Sequence, residues 1–154
     1  MSRAFVKEQD ADAFEGLPDR RVSEHPNDVT QEGLAQIEAK LGAAREAHAA
    51  AHAADDRAAM AEKLRDMRYW SARRATARVV LNPSDTTQVR FGSSVSIRRA
   101  DGREQTFRIV GEDEADPSRG TISHVSPLAR SLFGKRVGDI VTVGNGGVEI
   151  RAIR

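Results

Sequence analysis

Ala43-Ala44-Arg45-Glu46-Ala47-His48-Ala49-Ala50-Ala51-His52-Ala53-Ala54-Asp55-Asp56-Arg57-Ala58-Ala59-Met60 lies inside residues 43–82, the longest stretch of the chain without glycine or proline. Alanine is the strongest helix former, so this stretch predicts helix. Upstream, Leu34, Ile37, Leu41 and Ala44 repeat at the spacing of one helix face. Downstream, Met60, Leu64, Met67 and Trp70 form a second stripe. Each stripe is narrow, so each helix needs a partner. Asp28 or Thr30 can cap the start, because a short side-chain oxygen satisfies the free N–H groups of a first turn. Gln31 follows Asp28 at the spacing of a capping box. Two arrangements remain open on these residues. One is a continuous helix of about 48 residues, about 72 Å long, paired between chains. The other is an antiparallel hairpin that folds back near Ala53–Asp56, with Asp55 or Asp56 capping the return helix. No glycine or proline marks such a turn.

Working outward, composition divides the chain into three parts. Residues 1–29 carry four bases and seven acids, with Pro18, Pro26 and few large apolar side chains. They read as an extended or disordered arm, anchored if at all by Phe5 and Phe14. Residues 30–80 are the helical part. Residues 81–154 read as α+β. Val95 and Ile97 alternate with polar neighbours, as in a half-buried strand. Asp101-Gly102 predicts a primed hairpin turn, with Phe107, Ile109 and Val110 in the return strand. Ser126-Pro127 predicts a helix start, with Ser as N-cap and Pro in the first position, and Gly134 predicts its end. Ile140 to Val143 and Val148 to Ile153 are further strands, with Gly146-Gly147 expected as the turn between them.

Composition also bounds function. The chain has 154 residues, 24 Lys+Arg against 23 Asp+Glu, and a net charge of +1. That balance argues against a nucleic-acid binder working by bulk charge. The absence of cysteine removes disulfides, zinc-thiolate sites and thiol catalysis. No apolar run approaches the roughly 20 residues of a membrane span, and Met1 to Asp10 has no apolar core of a signal peptide. A cytoplasmic protein without membrane contact is expected.

Several segments then form an ordered series: Phe91-Gly92-Ser93-Ser94-Val95-Ser96-Ile97; Ile109-Val110-Gly111-Glu112-Asp113-Glu114-Ala115-Asp116-Pro117; Ile122-Ser123 and Ser126-Pro127-Leu128-Ala129-Arg130; and Gly134-Lys135-Arg136-Val137-Gly138-Asp139-Ile140-Val141. Their order and spacing resemble the C-terminal domain of the Gre transcript-cleavage factors, GreA and GreB. Val29-Thr30-Gln31-Glu32-Gly33-Leu34 and Met67-Arg68-Tyr69-Trp70 are similar to the family too, closer to GreB. The resemblance covers about residues 29–154.

The resemblance implies an N-terminal antiparallel coiled-coil hairpin on a C-terminal FKBP-like antiparallel β domain with one short helix, and so favours the hairpin. The implied domains are the arm at 1–29, the hairpin at 30–80 and a polymerase-binding domain at 81–154. It implies that the C-terminal domain holds the rim of the secondary channel of bacterial RNA polymerase while the hairpin enters the channel. In the family two acids at the hairpin tip help hold a magnesium ion, and the polymerase itself cleaves backtracked RNA. Hard oxygen ligands completing a labile metal site are the physical logic.

The tip departs from the family. Its Gly-Asp-x-x-Glu-Asn pattern is absent, and the acids near the turn are Asp55 and Asp56. The hairpin is also shorter than a full-length Gre hairpin by about 18 residues, which removes about 14 Å of reach. Magnesium ligation operates at about 2 Å, so channel occupancy without cleavage is the expected mechanism. Asp55 and Asp56 are the candidate catalytic acids against the plain reading of a helix cap and solvated turn. Ser123, Ser126 and Pro127 match the loop that contacts the polymerase rim, and Ser126-Pro127 caps a helix in any case. Asp113, Glu114 and Asp116 form an acidic loop beside it, read against a solvated charge run. His48 and His52 share a helical face at a spacing that could hold zinc, against a solvated polar face. Arg65, Arg68, Arg73, Arg74 and Arg78 read mostly as a solvated face of the return helix.

The expected protein is therefore a Gre-type elongation factor and not an enzyme, at most stimulating the polymerase's own RNA cleavage. It would meet nucleic acid only through the polymerase and carry no cofactor of its own, with Mg2+ at the polymerase active centre if cleavage is stimulated. The alternative is a non-transcriptional FKBP-like interaction module, peptide-binding or prolyl-isomerising. Against it, only Phe91, Phe107 and Phe133 are aromatic in the C-terminal domain.

Overall fold

The computed structural model describes residues 17–154. Phe5, Phe14 and the first part of the expected arm lie outside the described residues. The chain forms two compact units. The described part of the first is residues 17–24 with 35–76; the second is residues 25–34 with 77–154.

The first unit is a helical hairpin. Helix α1 spans Gln31–Ala53 and α2 spans Arg57–Thr76. At 1.5 Å per residue they are about 35 and about 30 Å long. Cross-helix contacts fix the antiparallel sense: Arg74 ion-pairs with Glu38 at 2.8 Å, and the Lys40 ammonium sits 4.8 Å from the Trp70 ring centroid. Later residues of α2 thus meet earlier residues of α1, which a fold-back at Asp55 requires and one unbroken rod forbids. Ile37, Leu41, Ala44 and Trp70 of the two stripes are buried. Arg68 and Arg74 face solvent, as the solvated-face reading expects, but Arg73 is 2% exposed and belongs to the interior. Arg78 has left the helix altogether. Residues 17–24 run beside α2, where Arg20 ion-pairs with Asp66 at 3.1 Å and Asp19 with Arg68 at 3.4 Å.

The second unit is built on a five-stranded sheet. Strands β1 (Asp28–Val29) and β2 (Arg78–Val79) pair in parallel as a separate ribbon. The main strands are β3 (Ser94–Arg99), β4 (Glu104–Val110), β5 (Thr121–Ser123), β6 (Ile140–Val143) and β7 (Gly146–Ile153), in the order β5-β4-β3-β7-β6. All pairs are antiparallel except β4–β5, which the crossover through a 3₁₀ turn at Pro117–Arg119 makes parallel. Helix α3 (Pro127–Leu132) lays Ala129 and Leu132 into a core of Val89, Val95, Ile97, Ile109, Ile122, Val141, Val148, Ile150 and Ile153. Residues 25–34 join this unit because the ribbon ties them to its chain: Arg78 N–H donates to Asn27 O and Val80 N–H to Val29 O, both at 2.9 Å.

Two turns differ from expectation. At Asp101-Gly102 only the glycine has positive φ, +86°. A primed turn on those two residues needs positive φ at Asp101, with Gly102 in type I′ or alone in type II′, so the loop is instead the three residues 100–102, closed by Arg99 N–H on Arg103 O at 2.8 Å. The β6–β7 turn falls at Gly144-Asn145, with Gly146 and Gly147 paired inside β7 opposite Val143 and Thr142. Register decides it, because Val141 and Val148 are partners and both are buried.

Candidate functional site

Candidate residues fall in one place in each unit. In the β unit they line the path from the end of β4 through the 3₁₀ turn and β5 into α3. Ser126 is extended, at φ −64° and ψ 152°, and its Oγ accepts the Ala129 N–H at 3.3 Å. Pro127 follows as the first helical residue and is exposed. Ser123 closes the loop before it: its carbonyl accepts the Ser126 N–H at 2.9 Å and its Oγ accepts the Val125 N–H at 3.2 Å. The result is a doubly tied corner with a proline at its outer edge.

The acidic loop is not uniform. Asp116 caps the 3₁₀ turn, its Oδ1 accepting the Ser118 N–H at 3.1 Å. Its own N–H donates to Thr121 Oγ1 at 2.8 Å. Asp113 is half-buried on the same loop. Glu114 turns inward: Thr30 Oγ1 donates to its carboxylate and lies 2.7 Å from each oxygen. That same Oγ1 accepts the Gly33 N–H at 2.9 Å, which makes Thr30, not Asp28, the N-cap of α1. A Cβ on Gly33 would stand 2.5 Å from Glu114 Oε2. Sequence reasoning missed this linkage. Its one signal was a glycine where a capping box has Glu or Gln. Beside it, Arg108 lies 3.7 Å from Glu32. The Glu32 carboxyl is held below its ordinary value by its own backbone N–H first, then by Arg108 and Thr30.

In the hairpin, Asp55 and Asp56 are both exposed at the turn. Asp55 has φ +51°, the only non-glycine positive φ among the described residues. Asp55 N–H donates to His52 O at 3.1 Å and Asp56 N–H to Ala51 O at 3.0 Å. These two bonds, around a left-handed residue, form a Schellman ending to α1. Asp56 then starts α2, its Oδ1 accepting the Ala59 N–H at 3.0 Å. Asp56 therefore serves the corner with its carboxylate and Asp55 with its backbone. His48 and His52 gain no third ligand: among the described residues no group of three or more His, Cys, Asp or Glu could hold a metal ion. No helix among them is long and apolar enough to cross a membrane.

Residues 84–153 match the family model for the C-terminal part of the transcription elongation factors GreA/GreB. The GreB factor of Neisseria meningitidis serogroup A is 49% identical over 74 residues, 46% of this chain and 45% of that protein, so the chain spans about half the length of this relative. The GreA factor of Chloroflexus aggregans is 34% identical over 142 residues, 79% of this chain and 90% of that protein. Among solved structures, the prokaryotic factor GreA/GreB from Nitrosomonas europaea is similar with a TM-score of 0.41 and 21% identity, covering 82% of this chain and 97% of that one.

Proposed function

From the premise that the chain belongs to the GreA/GreB family of transcription elongation factors, we propose that it binds RNA polymerase at the secondary channel and modulates elongation by occupying that channel. The Ser123–Pro127 corner is the gripping surface. It suits the role because its backbone N–H groups are already satisfied, which leaves a firm, exposed edge whose docking costs little ordering entropy. Asp113 and Asp116 flank it and can meet a basic neighbour on the polymerase rim. The protein acts where the polymerase acts, reaches RNA only through it, and contributes no metal or cofactor of its own.

The observation that carries occupancy over cleavage is the use made of the tip acids. Asp56 is committed to the Ala59 N–H, and Asp55 is the left-handed residue that ends α1. Neither stands in a ligand cluster among the described residues. Magnesium at the polymerase centre needs oxygen ligands at about 2 Å, which a capping carboxylate on a short hairpin is poorly placed to supply.

Two assays test the reading. Core polymerase should retain the full chain, and Ser126→Ala with Pro127→Ala should weaken retention about tenfold. Retention unchanged by that pair removes the corner from the interface. Backtracked complexes should show no more cleavage with the protein than with polymerase alone. Cleavage that appears with the wild type and vanishes in Asp55→Asn/Asp56→Asn would reverse the assignment and make the tip acids catalytic by proxy.

A further inference from the structure

We infer that Glu114 is a positioning residue, an inward-facing clamp on the start of the hairpin, and not a contact for the partner. Three observations on the β unit carry this. The Glu114 carboxylate accepts the hydrogen bond of the Thr30 hydroxyl at 2.7 Å, and Thr30 is 1% exposed. Thr30 in turn caps Gly33. Gly33 has no side chain at the one point where a Cβ would run into Glu114 Oε2.

The chemistry is that of a capping box supplied from another part of the chain. A first turn leaves backbone N–H groups without helical partners and carries partial positive charge. Thr30 satisfies one N–H, and a carboxylate beside it complements the charge. In an ordinary capping box the carboxylate sits three residues into the helix. Here that position is Gly33, and the carboxylate arrives from the loop after β4, eighty-four positions along the chain from Thr30. The clamp thus ties the acidic loop to α1, which continues without a break to Ala53. Within the same unit, Arg78 on Asp28 at 2.6 Å ties the two strands of the β1–β2 ribbon to each other. The loop that leads from β4 towards the gripping corner therefore also holds the first turn of α1, residues 31–34 of the same unit. The consequence for transcription rests on the proposed function; the clamp itself does not.

The test uses the full chain with Glu114→Ala and Glu114→Gln, the latter keeping an acceptor for Thr30 but no charge. Amide hydrogen exchange reads the clamp. Gly33 and Leu34 should exchange at least about tenfold faster in Glu114→Ala, while Ile109, bonded to Ser93 O inside the β unit, stays unchanged. Glu114→Gln should restore most of the protection. Equal rates at Gly33 in wild type and Glu114→Ala, or equal acceleration at Ile109, overturn the clamp. Core polymerase binding reads the second half. Glu114→Gln should bind within about twofold of wild type, and a tenfold loss would mean that the partner reads the charge and the inference is wrong. Failure of the wild type to bind polymerase at all would instead sink the proposed function and leave the exchange result to decide the clamp.

Discussion

The guanidinium of Arg20 lies 3.8 Å from the centroid of the Tyr69 ring and 5.5 Å from that of Trp70. Tyr69 and Trp70 meet edge to face at 4.9 Å, and Asp66 one turn earlier pairs with the same guanidinium. One side chain of the preceding segment therefore spans an anion and two rings on α2. A cation over an aromatic face contributes about 0.5–2 kcal/mol, and a half-exposed ion pair rather less. Arg20→Ala should cost about 1–2 kcal/mol in urea unfolding and speed tryptic cleavage after Arg21. Arg20→Lys should recover only part of the loss, because an ammonium keeps the Asp66 pair and forfeits the planar stacking. Unchanged stability in both variants would show that the segment rests on α2 without holding to it.

The hairpin corner makes a second, two-sided prediction. An L-residue in the left-handed region carries a cost of roughly 1 kcal/mol that glycine avoids. Asp55→Gly should therefore stabilise by about 0.5 kcal/mol after the entropy glycine adds to the unfolded chain. Asp55→Val should destabilise by more than about 1 kcal/mol, since branching worsens that conformation. Asp56→Ala should cost about 1 kcal/mol and Asp56→Ser almost nothing, as expected for an N-cap. Chemical denaturation of the four variants checks all of this. Equal costs for Ala and Ser at position 56 would remove the cap.

That corner also marks where sequence reading stopped. The stripe Leu34, Ile37, Leu41, Ala44 announces its buried face because periodicity is a property of the local sequence. Val95 and Ile97 do the same for β3, and Ser126-Pro127 for the start of α3. A fold-back near Ala53–Asp56 with an aspartate cap is one of two arrangements those residues allow, and the unbroken rod stays open because no glycine marks the turn and aspartate is an uncommon left-handed residue. The parallel placement of β5 and the Glu114–Thr30 clamp are silent for another reason. They join residues far apart in sequence, and no local pattern encodes the partner. Of the candidate site, the Ser126-Pro127 cap was legible on its own chemistry. The inward turn of Glu114 was not, since an acidic run reads the same whether its members face water or a helix end.

Gly111 gives a sharper test of how β1 is seated. A Cβ there would stand 2.7 Å from the Asp28 carbonyl oxygen and 3.4 Å from the Val29 Cα. Both obstacles are backbone, so no side-chain rotation relieves them, and one segment must move. Gly111→Ala should cost about 1–3 kcal/mol, the usual range for forced overpacking. The loss should be visible first at the ribbon, as faster exchange of the Arg78 and Val80 amides that bond to Asn27 and Val29. Gly42→Ala is the matched control, because nothing stands within 4 Å of its Cβ and alanine favours the helix that holds it. If Gly111→Ala left the ribbon amides protected, β1 would not be pressed against that loop.

Acid should loosen the β unit by a route the turns define. Asp101 is held below its ordinary value of 3.8 by the Arg103 backbone N–H first and the Arg103 side chain second. Asp85 is held below the same value by the Thr87 hydroxyl and then the Thr87 N–H, and Glu32 lies below its ordinary 4.5. A carboxyl whose folded value is depressed binds fewer protons folded than unfolded just below its ordinary value. Its contribution is therefore complete above about pH 5 and is lost as pH falls through the folded value. Stability should fall on acidification from about pH 5 to pH 3, with no matching change between pH 6 and 8 from these groups. Carboxyl-carbon NMR should show all three titrating below their ordinary values. Asp101→Asn should flatten the part of the acid limb that Asp101 supplies. Arg103→Ala should return Asp101 towards 3.8 without abolishing its shift, because the backbone N–H at position 103 still donates. A titration of Asp101 at its ordinary value in the wild type would show that the Arg103 contacts do not persist in solution.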